Sequence, residues 1–558
     1  MNILFVVPPY RTADPLVAQL YPMPLGPVML GTVLQNAGHT VTIKDFTIPS
    51  TRHTLDEQPF PGEGAPPYYH YGSPMKVCAG WLRGNAEEYD VVCLAMCQCN
   101  INETAGELGR LISSLDIPLV IGGPYVTTAP AEAQRKTGAQ VVVMGEGEGV
   151  VVEAVVKAVQ VGSNAEFAPP TIFAGQQMHP QDLPVPNWGL APPTNYPKYN
   201  GKVRGVLTVS RGCPHKCTFC SVHTIMGRDY RRLDREHIKF EMERLFERGV
   251  RYFCFLDDNL FINTPATKDI LWVIKRLDQK LTGFDKCRFY VEEGVEVRMA
   301  KEPGFFKHVA AARFDNIAIG LETLNPATLQ DVHKPYDTED MLDAVMYARN
   351  AGVVAKAFYI IGFPRDTITS VAQDIVAFGK LGLAVRPNNL KLYPGTELTK
   401  DAMRAGLITK DYDWRRSCWH TPHLGGIYYK DIKRYKTILR AVGMAAEDFG
   451  VRLLLDDWMS LVRAFAAKGY TLSQTGKEEI TLTGNMFRPS SYRHIAALLL
   501  MNYVGCGAET KLYNTGSDNK SHTKVVATVC EPDEIQQALL AAMHPDTYTA
   551  PTPEGFGI

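Results

Sequence analysis

Short apolar runs alternate with stretches of helical spacing along the first third of the chain. Ile3 to Val7 is a β run, Gly26 to Ala37 has the spacing of a helix ending at Gly38, and Thr40 to Asp45 is a second strand. A Pro-, Gly- and Tyr-rich insertion from Pro59 to Pro74 follows. Then come strand Val91 to Ala95, a helix around Glu103 to Leu115, and strands Pro118 to Ile121 and Gln140 to Met144. Strands alternating with helices at this pitch predict a parallel, doubly wound sheet. Such sheets bind ligands outside the carboxyl ends of their strands. Here those ends carry Pro8-Pro9-Tyr10, Met96-Cys97-Gln98-Cys99, Gly122-Gly123-Pro124-Tyr125 and Gly145-Glu146-Gly147-Glu148. On the glycines alone, ordinary turns explain these runs as well as a ligand does. A dinucleotide fold is disfavoured, because Pro8-Pro9 stands where Gly-x-Gly-x-x-Gly would follow the first strand.

Residues 161–200 are rich in proline and read as an extended linker. From Lys202 a second alternating series begins. Its helices are Asp234 to Arg248, Phe305 to Ala312 and Thr338 to Ala351; its strands include Arg251 to Leu256, Arg288 to Val297, Ile317 to Gly320, Val354 to Ile361 and Asn389 to Leu392. Six strand-plus-helix units predict a partial parallel barrel with its chemistry at the carboxyl ends of the strands. Beyond Asp401 the pattern changes to basic amphipathic helices, Asp431 to Val442 and Trp458 to Ala467. Strands Glu479 to Leu482 and Lys524 to Thr528 and helix Pro532 to Ala542 then predict a small mixed α+β domain. The expected organisation is 1–160, a linker over 161–200, a barrel over 201–400 and a C-terminal domain over 401–558.

The length of 558 residues implies two to four domains, and a net charge of −1 gives no sign of nucleic-acid or membrane binding through bulk charge. No apolar run reaches membrane-spanning length, and Met1 leads straight into a strand, so a cytoplasmic location is expected. Twelve cysteines without a secretion signal suit a reducing interior.

The densest chemistry lies in Ser210-Arg211-Gly212-Cys213-Pro214-His215-Lys216-Cys217-Thr218-Phe219-Cys220, after the apolar run Val206 to Val209. Cys213, Cys217 and Cys220 share one loop, so their thiolates can meet one iron–sulfur cluster and leave one iron open to a small chelating molecule. A zinc site, with His215 or His223 completing an irregular set, and plain buried cysteines are the alternatives.

At these residues the chain resembles the radical SAM superfamily, whose signature is this three-cysteine loop with an aromatic residue, here Phe219, before the last cysteine. Placed ahead of such a core, Pro24-Leu25-Gly26, Gly38-His39, Gly122-Gly123 and Gly145-Glu146-Gly147-Glu148 resemble the cobalamin-binding domain of the class B radical SAM methylases. The resemblance implies a flavodoxin-like cobalamin-binding domain, a partial (β/α)6 barrel, a 4Fe-4S cluster on Cys213, Cys217 and Cys220, and S-adenosylmethionine on the open iron. It places Phe219 at adenine and Asp257, Asp258 and Asn259 at the methionyl amino group, where the superfamily has Gly-Gly-Glu. Glu322, in Gly-Leu-Glu-Thr, falls near the adenosyl group, and Tyr393-Pro394-Gly395-Thr396 lines the pocket. Asp258 and Glu322 are its catalytic candidates beside the cysteines. For cobalamin it implicates Tyr10, Gln98, Gly122, Gly123, Pro124, Tyr125, Gly145 and Glu146. Each carboxylate also reads as a helix cap or solvated turn, and Glu292, Glu293 and Glu296 read as facing solvent and a loop. No Asp-x-His-x-x-Gly run occurs, so cobalamin without a histidine lower ligand is expected.

The activity implied is methylation of an unactivated carbon through methylcobalamin and a 5′-deoxyadenosyl radical, with an external electron donor and in an anaerobic setting. The expected substrate is a protein or peptide side chain, for instance the glutamine of methyl-coenzyme M reductase. A natural-product methylase, a ring-forming cyclase, and a radical enzyme whose first domain only docks a partner are the alternatives.

Overall fold

The computed structural model describes residues 1–12, 23–48, 52–55, 68–97, 103–163, 169–353, 355–414, 424, 427, 429–476, 479–486, 489–515 and 522–546. Gln98, Cys99 and Asn100 lie outside them, as do the side chains of His53, Glu292 and Glu293. The chain forms two compact units, one of residues 1–315, 332–335 and 391–421, the other of 316–331, 336–390 and 422–558.

The first unit opens with a parallel sheet of β1 (Asn2–Val7), β2 (Thr40–Asp45), β3 (Val91–Ala95), β4 (Leu119–Gly122), β5 (Val141–Met144) and β6 (Thr171–Ala174). Their spatial order is β2-β1-β3-β4-β5-β6, every pair parallel. This is the flavodoxin-like winding, whose switch point lies between β1 and β3. The central strands β1, β3, β4 and β5 read as apolar runs because helices cover both faces. Ile3, Phe5, Val91, Val120 and Val141 pack with Leu34 of helix Leu25–Asn36 and Val155 of helix Val151–Val161. Strand β6 comes from the Pro-rich stretch that composition presents as an extended linker. Arg52–Leu55, ahead of the insertion, and Tyr68–Tyr71 within it form a small antiparallel sheet with Tyr10–Thr12.

The same unit continues with parallel neighbours β7 (Arg204–Leu207), β8 (Tyr252–Phe255) and β9 (Arg288–Val295). Phe253, Phe289 and Phe314 stack in their core, with ring centroids 5.6 and 5.4 Å apart.

In the second unit β10 (Phe314–Glu322, its first residues in the first unit), β11 (Ala355–Ile361) and β12 (Ala384–Asn389) are parallel neighbours in that order. The last strand lies earlier than the expected Asn389 to Leu392. Arg386 and Pro387 interrupt its apolar pattern, and the proline is tolerated because β12 ends the order. An antiparallel sheet follows, of β13 (Thr471–Thr475), β14 (Glu479–Gly484), β15 (Gly507–Thr515) and β16 (His522–Cys530) in the order β13-β14-β16-β15. Helices Tyr429–Phe449, Pro489–Val504 and Glu534–Met543 accompany it.

Candidate active site

The cysteine loop is closed at its base. After β7 the chain pairs Ser210–Arg211 with Arg231–Arg232 in an antiparallel ribbon, Ser210 opposite Arg232 and Arg211 opposite Arg231. The loop between the two strands turns at Gly212, φ +83°, where a side chain would meet the Asp229 carbonyl at 2.3 Å. Cys213 N–H donates to the Gly227 carbonyl at 3.3 Å, and Cys220 N–H to that of Cys217 at 3.2 Å. None of the three cysteines is in a disulfide; Cys217 is buried and the others half-buried. Burial pushes the Cys220 thiol up to about 12, and Cys217, Asp258 and Cys213 add to the shift. Burial also raises Cys213. Neighbouring thiols, of which Cys213 and Cys220 are costly to ionise without a cation, fit a centre that takes one thiolate per iron and releases protons on loading. Among the described residues no three His, Cys, Asp or Glu side chains converge on a single ion position; cysteines bound to different irons need no such convergence.

The end of β8 supports this loop. Asp257 is fully buried, and its Oδ1 accepts Val209 N–H at 3.0 Å and Ser210 N–H and Oγ–H at 2.5 Å each. Its Oδ2 has no donor. Burial pushes its carboxyl up to about 7 against those three donors. The Asp258 carboxyl is pushed up to about 6 by burial, although Gly212 N–H and Arg211 pull it down. Asn259 is buried and donates to Glu296 Oε2 at 3.2 Å, while its own Oδ1 lacks a donor.

Glu296 does not face solvent as its sequence context suggests. Only 2% exposed, it sits at the end of β9, where its Oε2 meets His215 Nε2 of the cysteine loop at 2.5 Å. Burial alone would raise its carboxyl, but the His215 hydrogen bond and charge hold it below the ordinary glutamate range. The missed signal is its position at the end of a barrel strand. Thr218 ties the loop to two further segments: its N–H donates to the Val332 carbonyl at 3.2 Å, and its carbonyl accepts Leu398 N–H at 3.0 Å. The Tyr393-Pro394-Gly395-Thr396 turn thus caps helix Glu397–Arg404, through Thr396, against the loop.

The candidate cobalamin residues divide by what holds them. Tyr10 is buried and stacks on Tyr71 with centroids 5.3 Å apart. Gly123, φ +116°, is required by the chain itself, since a side chain there would lie 2.5 Å from the Met96 carbonyl; Gly122 is less crowded. Pro124 opens helix Pro124–Thr128, and the buried Tyr125 hydroxyl accepts from Lys136 Nζ at 3.0 Å. Gly145 N–H donates to Thr127 Oγ1 at 2.9 Å. Glu146 and Glu148 turn to Arg211 and Arg231, neither of which was singled out from the sequence. Gln98 lies outside the described residues. The carboxyl ends of β1 and β3 flank the switch point, the usual ligand position in a sheet of this winding.

Glu322 belongs to the second unit. It is 9% exposed, has φ +63°, and follows a register shift between β10 and β11. A left-handed glutamate costs about 1 kcal/mol or more, which the surrounding structure must offset. Beneath the next turn Asp374 accepts the Tyr359 hydroxyl at 2.7 Å and Leu324 N–H at 3.4 Å, and burial pushes its carboxyl up to about 7. Phe219 is half-buried in the cysteine loop.

Residues 207–375 match the radical SAM superfamily family model. An uncharacterized methyltransferase of Pyrococcus horikoshii is 28% identical over 347 residues, 59% of this chain and 69% of that protein. The hopanoid C-2 methylase of Rhodopseudomonas palustris is 26% identical over 55% of this chain, and the match spans little more than half of that protein, 56%. Among solved structures, the radical S-adenosylmethionine methyltransferase TsrM of Kitasatospora setae, with cobalamin and a 4Fe-4S cluster bound, superposes with a TM-score of 0.55. It is 16% identical, covering 80% of this chain and 95% of its own. That likeness is one of fold. No described helix is long and apolar enough to cross a membrane. With the cysteine loop at the head of the matched region, the chain is an enzyme carrying a radical SAM domain over residues 207–375, and its fold is similar to that of TsrM.

Proposed function

We propose that the chain is a cobalamin-dependent radical SAM C-methyltransferase acting on an unactivated carbon of a small, largely apolar molecule. One observation carries the reading: within a single compact unit, the thiol loop at the end of β7 is ion-paired to the end of β5 of a flavodoxin-wound sheet. When bound, the cofactors supply one-electron cleavage of S-adenosylmethionine, fed by an external donor, and a methyl group carried on cobalt. The chain's own residues orient and shield. Cys213, Cys217 and Cys220 hold the cluster, Asn259 Oδ1 takes the methionyl ammonium, and Asp257 and Glu296 fix the loop from below. The switch point of the first sheet, residues 1–160, would hold the corrin; His70 bonds the Ser73 carbonyl at 2.7 Å. Residues 401–558 select the substrate.

The small-molecule class is favoured over the peptide side chain expected from the sequence because relatives named for their substrates act on small molecules, among them a hopanoid methylase and a bacteriochlorophyllide methyltransferase. The test is anaerobic reconstitution with iron, sulfide and cobalamin, followed by reductant and S-adenosylmethionine. Tight cobalamin together with 5′-deoxyadenosine and S-adenosylhomocysteine supports the assignment. Deoxyadenosine without bound cobalamin overturns it and leaves a radical enzyme whose first domain docks a partner. Methyl transfer to peptides but not to polycyclic lipids overturns the substrate class alone.

A further inference from the structure

Arg211 and Arg231 face each other directly across the ribbon that closes the cysteine loop. Like charges at opposed positions repel, and each strand of this ribbon is only two residues long. The compensation comes from the turn after β5. Glu146 takes Arg211 Nη1 at 2.9 Å and Arg231 Nη2 at 2.5 Å, and Glu148 takes Arg211 Nη2 at 2.6 Å. All four are shielded, with side chains 3% exposed for Glu146, 8% for Glu148, 11% for Arg231 and 13% for Arg211. Burial alone would raise the Glu146 carboxyl, but Arg231 and Arg211 hold it below the ordinary range. Glu146 Oε2 also accepts Met178 N–H at 3.2 Å, and Arg231 donates to the carbonyls of Met178 and, at 2.8 Å, Met226. Met226 precedes Gly227, whose carbonyl takes the Cys213 amide. The network therefore runs from the first sheet to the backbone of a cysteine.

We propose that Glu146 is a positioning residue for the iron–sulfur cluster: by holding Arg211 and Arg231 together it fixes both ends of the loop carrying Cys213, Cys217 and Cys220. The inference rests on reading that loop as cluster-bearing. It gives the Gly145-Glu146-Gly147-Glu148 turn a duty separate from corrin binding. Without the carboxylate charge, two buried guanidinium groups stand opposed and the ribbon loosens.

The test compares wild type, Glu146→Gln, Arg231→Gln and the double variant as full-length, anaerobically reconstituted protein. The readouts are the rate of iron loss to a ferrous chelator, the reduction potential of the remaining cluster, and cobalamin retained after gel filtration. Glu146→Gln is expected to speed iron loss roughly tenfold. It should also shift the potential upward, because uncovered positive charge favours the reduced cluster, and leave cobalamin retention within about twofold. The double variant should lose iron no faster than the faster single variant, since both act through one contact. Arg231→Gln carries the same iron-loss expectation if Glu146→Gln does not fold. Iron loss at the wild-type rate, additive effects, or an unmoved potential overturns the inference, as does lost cobalamin with iron retained. Wild type that takes up no iron overturns the cluster reading and this inference with it; an iron-loaded wild type beside an indistinguishable Glu146→Gln overturns the inference alone.

Discussion

Asn259 donates its side-chain amide to Glu296 Oε2 at 3.2 Å while its own carbonyl oxygen, buried, meets no donor. A buried acceptor without a partner costs about 1–3 kcal/mol, so the pair amounts to an oriented acceptor awaiting an N–H group. Asn259→Leu is expected to weaken S-adenosylmethionine binding roughly tenfold or more, the worth of a hydrogen bond to a charged donor. Equilibrium dialysis on the cluster-loaded protein measures it. Unchanged affinity would move the ammonium contact to another residue.

Replacing any one of Cys213, Cys217 and Cys220 by alanine should abolish 5′-deoxyadenosine formation. The chain should stay folded, because the ribbon and Asp257 hold the loop independently of the thiols. Product assay and circular dichroism read the two halves. Retained cleavage in any of the three variants contradicts the ligand set.

Gly212→Ala places a side chain 2.3 Å from the Asp229 carbonyl at φ +83°. The loop must open to admit it, at a cost of roughly 2 kcal/mol or more. Iron content after reconstitution should fall well below that of wild type. Gly38→Ala, at φ +86° with open space around it, should leave iron content unchanged.

The Asp374 carboxyl, pushed up to about 7 by burial, links stability to pH. Its folded pKa lies above the ordinary 3.8, so its contribution is complete below that value and is lost as pH rises through about 7. Relative to Asp374→Asn, which stays neutral, wild type should lose roughly 3 kcal/mol between pH 5 and pH 8. Urea denaturation at the two pH values measures it, and a constant difference would show that Asp374 titrates normally.

The alternation of strands and helices was readable because strands buried on both faces are written as plain apolar runs, as in Ile3 to Val7 and Val91 to Ala95. Strand β12 was misplaced because Arg386 and Pro387 break that pattern, and β6 was hidden among prolines. The three cysteines were legible because their spacing is itself the chemistry. The partners of Glu146 were not: Arg211 lies 65 residues away in sequence, and only the folded chain brings the two within 2.9 Å. Glu296 had a local signal in its place at the end of a barrel strand, but its partner His215 lies 81 residues away and only the folded chain joins them.

The ribbon of Ser210–Arg211 with Arg231–Arg232 bears on how the enzyme matures. In small zinc domains the metal closes the loop and so drives folding itself. Here the ends of the loop are joined by backbone pairing and guanidinium–carboxylate contacts made by protein alone. The chain entropy of closure is therefore spent during folding and not when iron arrives. Synthesis and cluster insertion become separable events, and a folded, iron-free chain can wait for its metal.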